Sequence, residues 1–265
     1  MPCRVNRRRQ WTSRILLEAQ CHEFNSFVTL TFADVPKGHH GPPQRRCWEL
    51  VPEELTNFLK RLRYFYPAPF RHFSVGEYGE KYGRPHFHCA LFGVSMFDGA
   101  YLEKAWTAGA VHVGELNKDT AQYISGYVCK KWTKGNEDFA SEGLRGRRVE
   151  FARMSRNPGI GGLAVPILAR SLAPDGDLTV VSARGDVPEV IRTGGKQLPL
   201  GRFMRQKLRQ SFGWEATQPQ PIKRELARVY RERSDQEVKD TEARRVAHYK
   251  RAVFRQNLAR SKKSL

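Results

Sequence analysis

The chain has 265 residues, enough for one large core or a core with an appendage, and carries 46 Lys and Arg against 27 Asp and Glu, a formal net charge of +19. That excess predicts an acidic partner, and nucleic acid is the commonest, because each cation that meets a phosphate releases condensed counterions. Cys3, Cys21, Cys47, Cys89 and Cys129 are scattered and lack CxxC spacing, which argues against a disulfide framework or a thiolate zinc site. No run nears the ~20 apolar residues of a membrane span, and the basic N-terminal stretch lacks a signal-peptide core, so a soluble intracellular protein with no membrane partner is expected.

In chain order, "RQWTSRILLEAQCHEF" has helical spacing through Trp11, Ile15, Leu16 and Ala19, and "NSFVTLTF" follows as a β-rich run. "ADVPKGHHGPPQRR" reads as a loop. "VPEELTNFLKRLRYFY" predicts an amphipathic helix with Pro52 in its first turn and Leu55, Phe58, Leu59 and Leu62 on one stripe. Its other face carries Lys60, Arg61 and Arg63. "FRHFSVGEYG" and "RPHFHCALFG" predict a hairpin, "GAYLEKAWTA" a short helix and "AVHVGEL" a further strand. Asp119 is expected to cap a helix over "TAQYISGYVCKKW". Past residue 134, "RMSRNPGIGG" is turn-rich, "LTVVS" and "EVIRT" read as short strands, and "GRFMRQKLRQSF" reads as a helix. Residues 219–265 shift to charged helix formers, a basic helical tail that suits a phosphate backbone or solvent equally.

Two constellations carry chemistry. His86 and His88 stand one residue apart on a predicted strand, so both imidazoles project from one face while Phe87, Cys89 and Leu91 project into a core. Glu77, near the end of the preceding strand, can fold back across the turn and add a carboxylate. Two imidazoles and a hard oxygen with open positions suit a phosphate-activating divalent cation such as Mg²⁺ or Mn²⁺. Tyr123 and Tyr127 share a helix face at i and i+4, followed by Lys130 and Lys131. Ionising a phenol near neutrality costs about 4 kcal/mol, and a neighbouring ammonium lowers that cost. Tyr127, nearer the lysines, is therefore the expected first nucleophile. Arg84, Lys60, Arg61 and Arg63 are the expected phosphate contacts.

"RPHFH" followed by "YISGYVCKK" resembles the HUH endonucleases, the metal-dependent tyrosine nucleases that start rolling-circle replication. The two-tyrosine form is similar to the replication initiators of microviruses, small single-stranded DNA bacteriophages of the gokushovirus type. "FVTLTF" sits where that family has its first motif and "GEYGEKYGRPHFH" fits its second; "LTNFLKRLR", "MSRNPGIGG" and "LPLGRFMRQKLR" are also similar. The resemblance is strongest from about residue 10 to 135, looser to about 213, and says little of the tail.

The resemblance implies an α+β fold, a five-stranded antiparallel sheet flanked by helices in an RRM-like palm. It implies a nuclease core over 1–135, a C-terminal part of that domain over 136–218, and the tail as an extension. It also implies that His86, His88 and Glu77 hold the metal. A tyrosine would attack the scissile phosphate to leave a 5′-phosphotyrosyl link and a free 3′-OH, and the second tyrosine would rejoin the strand. The partners implied are single-stranded or origin DNA and host helicase and polymerase, in the host cell cytoplasm. A histidine-triad nucleotide hydrolase fits less well, because its third histidine position is Ala90 here. A non-catalytic single-stranded DNA or RNA-binding protein would have no need of two same-face histidines beside a tyrosine–lysine cluster.

Overall fold

The computed structural model describes residues 2–33, 49–79, 82–130, 147–176, 185–193, 196–217 and 243–251, with 219 and 253. Strands β1 (Asn25–Thr31), β2 (Arg71–Tyr78), β3 (Pro85–Phe92), β4 (Val111–Glu115) and β5 (Phe151–Met154) form one antiparallel sheet in the order β4-β1-β3-β2-β5. A small β6–β7 hairpin (Val190–Thr193, Lys196–Pro199) stands apart from it. The fold is α+β, as expected. No helix among the described residues is long and apolar enough to cross a membrane.

Strand β3 is central and almost wholly buried, so it separates two apolar layers. Phe87, Cys89 and Leu91 face the first layer with Val28 and Leu30. Helix α2 (Pro52–Phe65) closes this layer with Leu55, Phe58, Leu59 and Leu62, the stripe its spacing predicts, and α3 (Gly99–Ala105) adds Leu102 and Ala105. Each fully buried Leu or Phe contributes about 1.5–3 kcal/mol. The second layer joins Phe73, Val75, Ala90 and Phe92 to Ile15 of α1 (Pro2–Ala19) and to Ala121 and Ile124 of α4 (Lys118–Lys130). His86 and His88 share strand parity with Ala90 and Phe92, so they face the α1/α4 side.

A third cluster joins Leu17 of α1 to Val165 of α5 (Val165–Leu172) and to Met204 and Leu208 of α6 (Gly201–Ser211). Asp186 accepts from Arg209 Nε and Nη2 at 2.6 Å each and from Arg205 Nη2 at 2.7 Å, which ties the segment before β6 to α6. Gly109 marks a close approach: a Cβ there would lie 2.1 Å from the Thr31 carbonyl oxygen, where the chain after α3 pairs with the end of β1.

Three local expectations change. Helix α1 begins at Pro2 and ends at Ala19 rather than running to Phe24, because the Asn25 side-chain Nδ2 donates to the Ala19 and His22 carbonyls and turns the chain. Asn117, not Asp119, caps α4: its Oδ1 accepts from the amides of Asp119 and Thr120. Strand β5 was not read from the sequence, and it adds the sheet's β2 edge from beyond residue 135. The predicted strand in "EVIRT" and helix in "GRFMRQKLRQSF" are present as β6 and α6. Most of the predicted loop after β1, the "LTVVS" segment and most of the tail lie outside the described residues; within the tail, 243–251 are helical.

Candidate metal and tyrosine site

The β2–β3 register sets Glu77 directly opposite His86, and strand alternation brings His88 to the same face. The result is a convergence on one atom. Glu77 Oε1 lies 2.6 Å from His86 Nε2, 2.8 Å from His88 Nε2 and 3.0 Å from the Tyr123 hydroxyl, which donates to it. Tyr123 Oη is also 3.3 Å from His88 Nε2. Glu77 is buried, and its other oxygen, Oε2, is enclosed with no hydrogen-bond partner.

The outward nitrogens of both rings are held as well. His86 Nδ1 lies 3.1 Å from the Arg84 carbonyl, which can only accept, so Nδ1 carries the proton. His88 Nδ1 lies 2.9 Å from Thr29 Oγ1, on the β1 residue that pairs with His88 in the sheet. With no cation bound, each Nε2–H donates to Glu77 Oε1; with Nδ1 held from outside, loss of that proton would free the Nε2 lone pair for a cation, the arrangement in which outer hydrogen bonds orient metal-binding imidazoles. Phe27 stacks on His88 at 5.5 Å and Tyr127 lies over it at 6.3 Å, so that ring has little freedom.

The electrostatics follow from the packing. Burial disfavours ionised Glu77, but the hydrogen bonds and charges of His86 and His88 outweigh it and bring its pKa down to about 2. Burial acts against His86⁺ too, yet Glu77 beside it wins and the pKa rises. For His88 burial wins and the pKa falls. An anionic carboxylate with two converging imidazoles fits a divalent cation, and the enclosed Oε2 is a donor with nothing else to bind. Among the described residues, Glu77, His86 and His88 place their ligand atoms within 4.8 Å of one another.

Helix α4 brings the phenols over this cluster. Tyr123 stands edge-on to His88 at 5.1 Å and to Tyr127 at 5.2 Å. It is 42 % exposed, so part of the side chain faces solvent while its hydroxyl touches the cluster. Tyr127 is half-buried, and burial, the Tyr123 hydrogen bond and the Glu77 charge all push its pKa up. Helix α1 is tied to α4 beside the tyrosines, where Arg8 Nε donates to the Gln122 carbonyl at 2.9 Å.

The fold therefore gathers Glu77, His86, His88, Tyr123 and Tyr127, with Arg84 alongside, its guanidinium donating to the Phe32 carbonyl. The Lys130 side chain and Lys131 lie outside the described residues. Lys60, Arg61 and Arg63 are not brought to the cluster, because α2 packs on the other face of the sheet. Arg61 is half-buried and donates to the Ala105 carbonyl at 2.6 Å, a tie between α2 and α3. Thr29 was missed in the sequence. The signal was there, since Phe27, Thr29 and Thr31 alternate with the buried Val28 and Leu30.

The chain is similar to known proteins over the region that holds this cluster. The family model for replication-associated protein ORF2/G2P matches residues 25–134. The chain is 30 % identical over 156 residues to replication-associated protein VP4 of Bdellovibrio phage phiMH2K, covering 52 % of this chain and 48 % of that protein. It is 28 % identical over 178 residues to replication-associated protein ORF2 of Spiroplasma virus 4, covering 60 % and 53 %. It is 29 % identical over 156 residues to replication-associated protein ORF4 of Chlamydia phage 1, covering 50 % and 37 %. The matched region thus spans about half or less of each relative. No solved structure matches the chain. Thr29, Glu77, both histidines and both tyrosines all fall inside residues 25–134, the region over which the chain is similar to the replication-associated protein ORF2/G2P family and to these microvirus proteins.

Proposed function

We propose that this protein is a rolling-circle replication initiator, a site-specific single-strand DNA endonuclease and strand transferase that works through a 5′-phosphotyrosine. The observation that carries the reading is the meeting of two imidazole nitrogens and a phenol at one buried carboxylate oxygen. Glu77, His86 and His88 would hold the cation, Mg²⁺ or Mn²⁺, which when bound polarises a phosphate oxygen. Arg84 and Thr29 position the imidazoles.

Tyr123 is the better placed first nucleophile among the described groups, because its hydroxyl reaches the cluster and it is part-exposed. The expectation for Tyr127 rested on Lys130 and Lys131. In the cut, the Tyr123 oxygen bonds to phosphorus, the P–O3′ bond breaks, and the phenol proton is balanced by the one gained at the released 3′-OH. Tyr127, one turn further along α4, would take the second transfer that closes the circle. Origin DNA is the substrate in this reading, and host helicase and polymerase are the partners that open the duplex and extend the 3′ end, in the host cell cytoplasm.

The test is a denaturing gel after incubation with labelled single-stranded oligonucleotides from phage origins and Mg²⁺ or Mn²⁺. A covalent adduct is expected, lost in EDTA and lost in the double variant Tyr123→Phe, Tyr127→Phe. Tyr123→Phe should reduce the first adduct more than Tyr127→Phe does. An adduct of normal yield from the double variant would overturn the mechanism. Binding with no adduct under any condition would favour a non-catalytic single-strand-binding protein.

A further inference from the structure

The surface of α2 and α3, on the reverse side of the sheet from the tyrosines, combines bare aromatic rings with cations. Tyr64 is 85 % exposed and Phe97 is 87 % exposed, values at which neither ring contributes to the core. They are linked by packed neighbours. Tyr64 meets Phe65 edge-on at 5.2 Å, the Lys104 ammonium lies 4.2 Å over Phe65, and Tyr66 meets the part-exposed Tyr101 at 5.4 Å. Tyr66 also donates to Asp98, the residue after Phe97, at 2.6 Å, so that carboxylate is engaged within the surface.

Helical spacing interleaves the two residue types. Lys60 and Tyr64 stand at i and i+4 on α2, both exposed, and Tyr101 and Lys104 stand at i and i+3 on α3, both exposed. Glu103 is an exposed acid on α3 beside Lys104. Rings that offer a free π-face beside ammonium groups match a polymer with unstacked bases and a phosphate backbone. A duplex offers only phosphates, because its base faces are already stacked.

We infer that the α2–α3 surface is a second binding track for single-stranded DNA, separate from the tyrosine site. It rests on the DNA-handling role proposed above for the identity of the polymer, but not on the cutting chemistry. Because α2 and α4 lie on opposite faces of the sheet, a strand held here is not the phosphate being cut. It is a distant part of the same strand, or the strand displaced from it.

The experiment is fluorescence anisotropy of the full chain with a labelled oligothymidylate of about 30 nucleotides, in EDTA so that no cutting intervenes. Tyr64→Ala with Phe97→Ala should weaken single-strand binding at least about tenfold and leave duplex binding within about twofold. Tyr64→Trp with Phe97→Trp should retain single-strand affinity. Lys60→Ala with Lys104→Ala should reduce the slope of log affinity against log salt by about 1.4. Circular dichroism and melting temperature confirm that each variant is folded. Unchanged single-strand affinity in the ring variant would overturn the inference, as would an equal loss for single strand and duplex. Adduct formation by the wild-type chain is scored separately, so the track and the cutting site fail or stand independently.

Discussion

Two buried glutamates near opposite ends of the β2–β3 pair are treated in opposite ways. At the Arg71 end, Glu18 of α1 is fully enclosed and both its oxygens are used: Oε1 by the Arg71 guanidinium and Oε2 by the Gly161 amide at 2.6 Å. Arg71 in turn donates to the Asn157 and Pro158 carbonyls, and Arg14 to the Ile160 carbonyl at 2.8 Å, so the "RNPGIGG" segment is pinned to α1 and β2. At the other end, Glu77 gathers three groups on one oxygen and none on the other. Satisfied polar networks hold a fold together; an uneven one this deep in the protein is a poor brace and a good ligand. The difference separates a structural carboxylate from one kept for chemistry.

Glutamine in each position should sharpen the contrast most. Glu18→Gln leaves Arg71 without its counter-charge and should cost about 3–5 kcal/mol in denaturant unfolding. Glu77→Gln also removes a buried anion, but its imidazole partners can discharge by losing a proton where Arg71 cannot, so the loss in EDTA should be the smaller one. Similar losses from both would erase the distinction drawn here.

A pH titration read against a His72 variant isolates the structural end. His72, beside Arg71, is buried, and burial together with the charges of Arg63, Arg71 and Arg153 lowers its pKa to about 4 from 6.5. Between those values the unfolded chain binds the proton and the folded one does not, so stability falls as pH drops through that window. The expected loss is about 3 kcal/mol by pH 4. His72→Asn, which can still bond Ser74, should flatten that limb when chemical denaturation is followed from pH 7 to 4. An unchanged limb would assign the pH dependence to other groups.

Metal should act at the other end only. Mn²⁺ at a hundred times its Kd should stabilise the wild-type chain by about 2.7 kcal/mol, seen as a rise in Tm. The rise should be largely lost in Glu77→Gln and kept in Glu18→Gln, provided the latter is folded at the starting temperature. A rise that survives Glu77→Gln would move the cation elsewhere.

The smallest effect belongs to the residue behind the ligands. Thr29→Val keeps the shape of the β1 side chain but removes the hydroxyl partner of His88 Nδ1. Metal affinity should fall about tenfold in calorimetry, equivalent to about 1.4 kcal/mol. Unchanged affinity would mean that the rings of Phe27 and Tyr127 suffice to orient His88.

Local periodicity was enough for much of this. A period of two sets His86 and His88 on one face with Phe87 and Cys89 opposite, and a period near 3.6 sets Leu55, Phe58, Leu59 and Leu62 on one side of α2 and both tyrosines on one side of α4. Glu77 was legible because a hairpin returns its partner strand directly across from it. Strand β5 was not, since four residues containing an exposed arginine carry little pattern and are held by backbone pairing with β2. Nor could spacing show that the Tyr123 hydroxyl bonds Glu77, because both tyrosines lie on the same helix face and only the packing of α4 on the sheet sets which hydroxyl meets the carboxylate. The cations of α2 make the same point: their side of the helix is written in the sequence, but the layer of the molecule that α2 occupies is decided by contacts between residues far apart in the chain, and these put it opposite the site.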